Sequence, residues 1–266
     1  MENNYLEQIG RNKGSFVLYI ILRIAIAGIL CVQIWEHDWQ NVFICVASLV
    51  LFLVPGFVEN RFHIRLPAGI QNILLLFIFC AEILGEIEAF YVYFPWWDTM
   101  LHTIMGFLVA ILGFSLVNLL NESNRVVFRL SPLFVSIVAF CFSMTISVFW
   151  EFGEFTMDQF FGLDMQKDTV LSEISSIMLD PEGGNTPVAI REITEVTVNG
   201  EDLGLGGYLD VGLYDTMGDL AVNMAGALAF SCIGYFCLKS EEKQKFLDNF
   251  VVKKEKKEGD RRKEES

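Results

Sequence analysis

The chain has 266 residues, of which 53% are hydrophobic and only 20% are charged. A soluble domain of this size carries more charge, so the composition excludes water as the only solvent of the folded chain. The net charge of −14 argues against a nucleic-acid partner. All six cysteines lie in apolar stretches without CxxC spacing, which argues against a disulfide scaffold and a thiolate zinc site.

Six apolar stretches are long enough to cross a bilayer as helices. A hydrocarbon core about 30 Å thick needs roughly 20 helical residues, whose backbone groups are all hydrogen-bonded within the segment. The predicted spans are 16–35, 42–58, 68–90, 98–120, 132–151 and 214–238. The sequence therefore predicts an all-α membrane protein, a bundle of about six transmembrane helices.

Positive charge alternates between the connections and orients the chain. Arg61 and Arg65 follow the second span, and Arg125 and Arg129 follow the fourth, whereas the first and third connections contain no lysine or arginine. Under the positive-inside rule, both termini are cytoplasmic and the protein is a multi-pass protein of the cell membrane.

The predicted organisation follows from these spans and this orientation. It consists of a cytoplasmic N-terminus (1–15), transmembrane helices one to five (16–151), an acidic extracytoplasmic loop (152–213), a sixth helix (214–238) and a charged cytoplasmic tail (239–266). The tail mixes ten basic with eight acidic residues, which predicts a solvated segment. Attraction of its lysines to anionic lipid is the alternative.

The external loop is expected to be a small insertion containing a short helix and a β-hairpin. Asp168 is placed to cap a helix that ends near Met178. The β-rich run 188–198 is followed by Asn199-Gly200, the dipeptide typical of a tight hairpin turn.

Ionisable residues near the outer ends of the spans are the chief functional clue. A charged side chain at a helix centre in a bilayer costs about 2.5–3.5 kcal/mol on insertion scales, so each one calls for an explanation. Under the predicted topology one boundary collects Glu86, Asp98, His102, Glu151, Glu154, Asp158, Asp215 and Asp219. Glu151, Glu154 and Asp158 also share one helical face, because residues three, four and seven apart are neighbours on a helix.

Carboxylates brought together repel one another unless a cation or a proton neutralises them. A divalent metal ion would solve this problem. The expected ligands are His102, Glu151, Asp219, Asp215 and Glu86, and the expected catalytic residues are Glu154, Asp158 and Asp98. An imidazole among carboxylates suits Zn, Mn or Fe, and an all-oxygen subset suits Mg or Ca. The structural alternative is that carboxylates at helix ends only mark the water interface.

Several short motifs carry a family resemblance. They are Gly85-Glu86, Trp97-Asp98 with His102, Trp150-Glu151 with Glu154 and Asp158, and the run from Asp215 to Asp219. In these motifs the sequence resembles the YjdF-like family of bacterial integral membrane proteins and, more distantly, the VanZ-like group. The resemblance covers roughly residues 16–238, interrupted by the external loop. It implies a multi-pass helical bundle with shared acidic and histidine positions, and it assigns no reaction.

One departure from the family pattern concerns the external loop. In shorter members the segment containing Gln166 and Asp168 would lead almost directly into the last span, whereas about 45 residues intervene here. This insertion leaves open whether Gln166 and Asp168 approach the polar residues.

Three functional classes fit these observations. The first is membrane-bound hydrolysis or transfer at an outward-facing metal site, with a lipid-linked or cell-envelope substrate. The second is proton- or cation-coupled transport, which also places carboxylates in helices. The third is a non-catalytic membrane factor whose loop binds a partner. Apart from the lipid bilayer, the sequence identifies no partner.

Overall fold

The structure is a computed structural model that describes residues 13–62, 64–121, 130–240 and 250–254. Six helices are long and apolar enough to cross a membrane, which confirms the predicted all-α membrane fold. Arg125, Arg129 and most of the C-terminal tail lie outside the described residues. The α-helices are α1 (Lys13–Glu36), α2 (Trp39–Leu51), α3 (Val54–Phe62), α4 (Ala68–Ile78), α5 (Phe90–Tyr93), α6 (Trp97–Asn121), α7 (Pro132–Phe161) and α8 (Leu213–Leu238).

The long helices present large apolar side chains outward. Ile24, Phe43 and Phe149 are each about two-thirds exposed, while Ser48 and Ser143 are buried. A water-soluble fold would reverse this distribution, since extended exposed apolar surface is unfavourable in water. The outward faces of these helices are therefore lipid-facing.

The third span differs from a regular α-helix. After α4 the chain continues as a π-helix, Phe79–Ile87, and Ala89 then adopts the left-handed region with φ 55°. The Trp97 Nε1 donates a hydrogen bond to the Cys80 carbonyl oxygen at 3.3 Å. The third span was predicted to reach residue 90, but it ends earlier, in a π-helix whose turns are wider than those of an α-helix. The hydrogen bond from Trp97 joins this π-helix to the start of α6.

The fifth span is longer than predicted. Its helix continues to Phe161 instead of ending at Glu151, and the chain turns at Gly162 with φ 66°. Bilayer thickness limits the apolar length of a span but does not end a helix, whereas a left-handed glycine does. Glu154 and Asp158 consequently lie on the helix and not in a loop.

The segment between the fifth and sixth spans is built from short antiparallel strands. Their ranges are β2 (Val170–Leu171), β3 (Ile174–Ser176), β4 (Val188–Ile190), β5 (Thr197–Val198), β6 (Glu201–Asp202) and β7 (Tyr208–Leu209), with the pairs β2–β7, β3–β4 and β5–β6. Asn199 and Gly200 both have positive φ between β5 and β6, which confirms the predicted hairpin.

The short helix predicted from Asp168 to Met178 was wrong. This stretch forms β2, β3 and a single 3₁₀ turn, Ile177–Leu179. The apolar residues that suggested a helical face pair instead with strands far along the chain, as Val170 does with Leu209. Tertiary pairing has overridden a local capping signal.

The chain divides into two compact units, Met1–Ile146 with Val222–Ser266, and Ser147–Ala221. In the first unit, α6 and α8 approach closely at two glycines. A Cβ on Gly106 would come within 2.1 Å of the Asn223 carbonyl oxygen, and the Ser143 hydroxyl donates to the Gly106 carbonyl oxygen at 2.8 Å. Small residues at such crossings are typical of membrane helix packing.

The first unit also includes part of the C-terminal tail. Strand β8 (Lys253–Lys254) pairs antiparallel with β1 (Ile64–Arg65). The preceding Val251 and Val252 are buried, so the described part of the tail is docked and not solvated as predicted.

Gly226→Ala is expected to destabilise the protein, because the new Cβ would come within 2.1 Å of the Thr103 carbonyl oxygen. Overpacking of this kind costs about 1–3 kcal/mol, which thermal unfolding of the purified protein would measure. Gly218→Ala on the same helix is the matched control, since a Cβ there meets nothing within 4 Å. Equal stability of the two variants would contradict the close approach of α6 and α8.

Candidate functional site

Three buried carboxylates come together in the unit Ser147–Ala221. Glu151 and Glu154 lie on α7 and Asp219 lies on α8, and these residues are 4%, 8% and 5% exposed. One carboxylate oxygen from each lies within 4.8 Å of the others. Glu151 and Glu154 share a face because they are three residues apart on one helix. We call these three residues the carboxylate triad.

The lengths of the two helices place the triad near one surface of the bilayer. At about 1.5 Å per residue, Glu151 lies roughly 28 Å from Pro132, where α7 begins. Asp219 lies at about the same distance from Leu238, where α8 ends. Because the hydrocarbon core is about 30 Å thick, both positions correspond to the boundary between hydrocarbon and headgroups.

Two further side chains define the surroundings of the triad. The Trp150 Nε1 donates a hydrogen bond to Glu154 Oε1 at 2.7 Å, which fixes the direction of that carboxylate. Ser147 lies one turn before Glu151 on the same face and is 1% exposed. Among the residues that the structure describes, its hydroxyl has no hydrogen-bond partner. A buried hydroxyl in this state carries a desolvation cost, which a ligand at the triad would relieve.

The donor set of the triad fits a hard divalent cation. Three ionised carboxylates at this separation repel strongly, and either protons or a cation must reduce their charge. Carboxylate oxygens are the ligands that Mg²⁺, Mn²⁺ and Ca²⁺ prefer. No nitrogen or sulfur ligand belongs to the triad itself.

A short connection after α7 is hydrogen-bonded to both helices that carry the triad. The two oxygens of Asp158 accept hydrogen bonds from the backbone N–H groups of Met165 and Gln166, at 2.6 and 2.8 Å. The Gln166 amide donates to the Thr216 hydroxyl on α8. The backbone N–H of Lys167 donates to Asp215 Oδ2 at 2.8 Å. We call the segment from Met165 to Lys167 the strap.

The strap continues into the start of α8. Gly212 has φ 75°, and a Cβ there would come within 2.6 Å of Gln166 Cβ, so both the conformation and the space require glycine. Asp210 Oδ2 accepts from the Tyr214 backbone N–H at 2.8 Å and caps the helix. The two ends of the insertion, Gln166 and Gly212, therefore lie next to each other.

The strap region is strongly acidic. Partial burial, followed by the nearby carboxylates of Asp164, Asp210 and Asp158, raises the pKa of Asp168, although a hydrogen bond from the Gly212 backbone partly offsets this.

The remaining predicted site residues belong to the other unit. Asp98 Oδ1 and His102 Nε2 are 3.6 Å apart on α6, and His102 is buried. Glu86 lies on the π-helix and is exposed, one turn after the half-buried Glu82.

Sequence reasoning identified the triad residues but missed the strap. The spacing of Glu151 and Glu154 was sufficient to place them on one face. The spacing of Trp150 and Glu154, four apart, could have indicated their hydrogen bond. Nothing local indicated that Asp158 and Asp215 bind backbone N–H groups of the strap, since the atoms involved come from a loop without a regular pattern.

Asp158→Ala should loosen the strap, because it removes the acceptor of two backbone hydrogen bonds. A hydrogen bond to a charged group contributes about 1.5–3 kcal/mol, so a loss of stability of that order is expected. Hydrogen exchange measured by mass spectrometry should show faster exchange at Met165 and Gln166.

Asp164→Ala is the control for this prediction, since it removes an exposed carboxylate from the same connection. Exchange that is equally slow in the wild type and in Asp158→Ala would show that the carboxylate does not hold the strap.

The chain was compared with known families, proteins and structures. No curated protein and no solved structure matches it. One family, described as "Predicted membrane protein (DUF2238)", matches residues 17–240. This range includes most of the first span, the other five spans completely, and every residue of the triad and the strap. The chain is therefore an integral membrane protein that belongs to this family.

Proposed function

We propose that the protein is a membrane-bound enzyme that binds a divalent cation at the carboxylate triad and catalyses hydrolysis or group transfer on a lipid-linked or cell-envelope substrate. The observation that carries the proposal is the burial of Glu151, Glu154 and Asp219 with their oxygens within 4.8 Å of one another. Burial of three acids in one place is costly, and a bound cation is the simplest compensation.

The three carboxylates would have different roles. Glu151 and Asp219, from different helices, would bind the cation. Glu154 would act as general base, because the hydrogen bond from Trp150 fixes the direction of its carboxylate beside the other two acids. A bound divalent cation supplies Lewis acidity, which lowers the pKa of a coordinated water and polarises a phosphoryl or acyl oxygen.

The surroundings of the triad favour an amphiphilic substrate. On the same segments of α7 and α8, Phe152, Phe155, Leu213 and Met217 are each at least half exposed. These side chains face lipid, while the triad lies at the estimated depth of the headgroup boundary. A substrate with an apolar chain in the bilayer and a polar headgroup at its surface would satisfy both environments.

The finer sequence-based expectations are part of the same proposal. They are an outward-facing site in a bacterial cell membrane, cytoplasmic termini, and kinship with the YjdF-like and VanZ-like groups. The ligand roles of His102, Glu86 and Asp215 and the catalytic roles of Asp98 and Asp158 remain predictions from the sequence. The strap gives Asp158 and Asp215 a positioning role in addition.

Binding of Mn²⁺ to the full-length protein in lipid nanodiscs tests the proposal, with the loss of the free-ion electron paramagnetic resonance signal as the readout. The wild type should bind saturably. Glu151→Gln and Asp219→Asn should each weaken binding about tenfold or more, since each removes a charged ligand and a tenfold change corresponds to about 1.4 kcal/mol. Glu154→Gln should weaken it less.

Glu182→Gln is the control, because Glu182 is an exposed acid of the same unit. Absence of saturable binding, or equal weakening by Glu182→Gln, would overturn the proposal. Proton flux into proteoliposomes that requires Glu151 and occurs without a divalent cation would also overturn it, in favour of transport.

A further inference from the structure

We propose that the lipid headgroup handled at the carboxylate triad bears an ammonium group and a net positive charge, and that anionic headgroups are excluded. This inference rests on the proposed function and names the substrate class of the same site. Its basis is the charge of the segment that joins the two helices of the triad. We call this segment, residues 155–212, the acidic segment.

The acidic segment contains eleven acidic and two basic residues, a net charge of −9. All of its residues are among those that the structure describes. None of the eleven acids belongs to the triad, so a cation bound by the triad would leave this charge in place. These acids are not themselves the site, but they act on the charge of any group that approaches it.

Carboxylates continue from the triad toward the strap on both helices. Asp158 follows Glu154 by four residues on α7, and Asp215 precedes Asp219 by four residues on α8. Residues four apart share a helical face, so Asp158 and Asp215 each lie one turn, about 6 Å, beyond the triad. Both accept hydrogen bonds from backbone N–H groups of the strap, so the strap also lies about one turn beyond the triad.

Further carboxylates lie beside the strap. After desolvation, the carboxylates of Asp164, Asp210 and Asp158 are what raise the pKa of Asp168, so these four acids are near neighbours. Asp164 and Asp168 are exposed and flank the strap in the chain. The approach to the triad along the strap is therefore acidic.

The two basic residues of the acidic segment are engaged in local contacts. Arg191 follows β4 and forms an ion pair with Glu173, with Nε and Oε1 3.0 Å apart. The Lys167 ammonium donates a hydrogen bond to the Asp164 carbonyl oxygen. Arg191 is thus matched by an acid of its own, and Lys167 is the only lysine or arginine of the strap.

The other basic residues of the chain lie elsewhere. Apart from Arg23, which donates to the Tyr19 hydroxyl within α1 at 2.6 Å, each is separated from the acidic segment by one, three or five candidate spans. An odd number of crossings leads to the opposite surface, across a hydrocarbon core about 30 Å thick. Since the screening length at physiological salt is about 8 Å, these charges do not neutralise the acidic segment.

This charge distribution is the reverse of the one that a phosphate-binding site needs. Sites that bind transferring phosphoryl groups combine a metal ion with arginine or lysine side chains. A surface of one sign instead raises the local concentration of oppositely charged groups. One unit charge at a membrane surface changes the attraction roughly fivefold, so headgroups with one positive and one negative charge should differ about 25-fold.

Relaxation of lipid phosphorus by Mn²⁺ bound to the full-length protein tests this inference. The loaded protein, freed of unbound ion, is placed in phosphatidylcholine nanodiscs with equal small fractions of cationic ethylphosphatidylcholine and anionic phosphatidylglycerol. Relaxation that remains in Asp219→Asn is subtracted. Because paramagnetic relaxation falls steeply with distance, it reports only headgroups near the ion. The enhancement for the cationic lipid should exceed that for the anionic lipid about tenfold or more.

Charge variants and salt test the cause of this ratio. Asp164→Asn with Asp168→Asn should lower it about fivefold or more, because both exposed acids lie beside the strap. Glu192→Gln with Glu195→Gln is the matched control, since it makes the same charge change between β4 and β5 and should lower the ratio less. High salt should lower the ratio of the wild type, because the attraction is electrostatic.

The outcomes separate this inference from the proposed function. Saturable Mn²⁺ binding without an excess of the cationic lipid would overturn this inference alone, whereas absence of Mn²⁺ binding would overturn both. Equal effects of the two double variants, or a ratio that does not change with salt, would also overturn the inference. Displacement of the cationic lipid by an equal concentration of tetramethylammonium would overturn it in favour of a soluble cation.

Discussion

The mutual repulsion of Glu151, Glu154 and Asp219 is the constraint on which the account of this protein depends. Three acids with oxygens within 4.8 Å of one another, each less than a tenth exposed, need a counter-charge or protons. The surrounding contacts keep the acids in place despite the repulsion. Trp150 holds Glu154, and the strap joins α7 to α8 through Asp158 and Asp215. The strands β2 to β7 therefore follow the strap, and the strap also holds together the two helices that carry the triad.

The bilayer imposes the second constraint, because polar groups in hydrocarbon must be bonded within the protein. The connection between the second and third spans satisfies it through Glu59, which accepts hydrogen bonds from Leu66 and Gln71. On α6, Ser115 accepts a hydrogen bond from Val252. In both cases a buried acceptor orders a segment that would otherwise be loose.

The parts of the fold that were predictable from the sequence are those with a regular period or a short-range signal. Apolar length gave the spans, helical spacing placed Glu151 and Glu154 on one face, and Asn199-Gly200 predicted a hairpin. Features that depend on distant partners were not predictable. Val170 pairs with Leu209, Gln166 bonds to Thr216, and the docking of Val252 depends on Ser115. The π-helix and the extension of α7 to Phe161 also escaped prediction, since hydropathy does not report helix type or helix end.

The most direct test of the central claim is an experimental density map of the full-length protein prepared with Mn²⁺, collected so that the anomalous signal of manganese locates the ion. The account predicts a single strong anomalous peak in contact with the carboxylates of Glu151 and Asp219 and beside Glu154. A map that shows these three carboxylates in hydrogen bonds to one another with no anomalous peak, or a peak bound elsewhere on the chain, would contradict it.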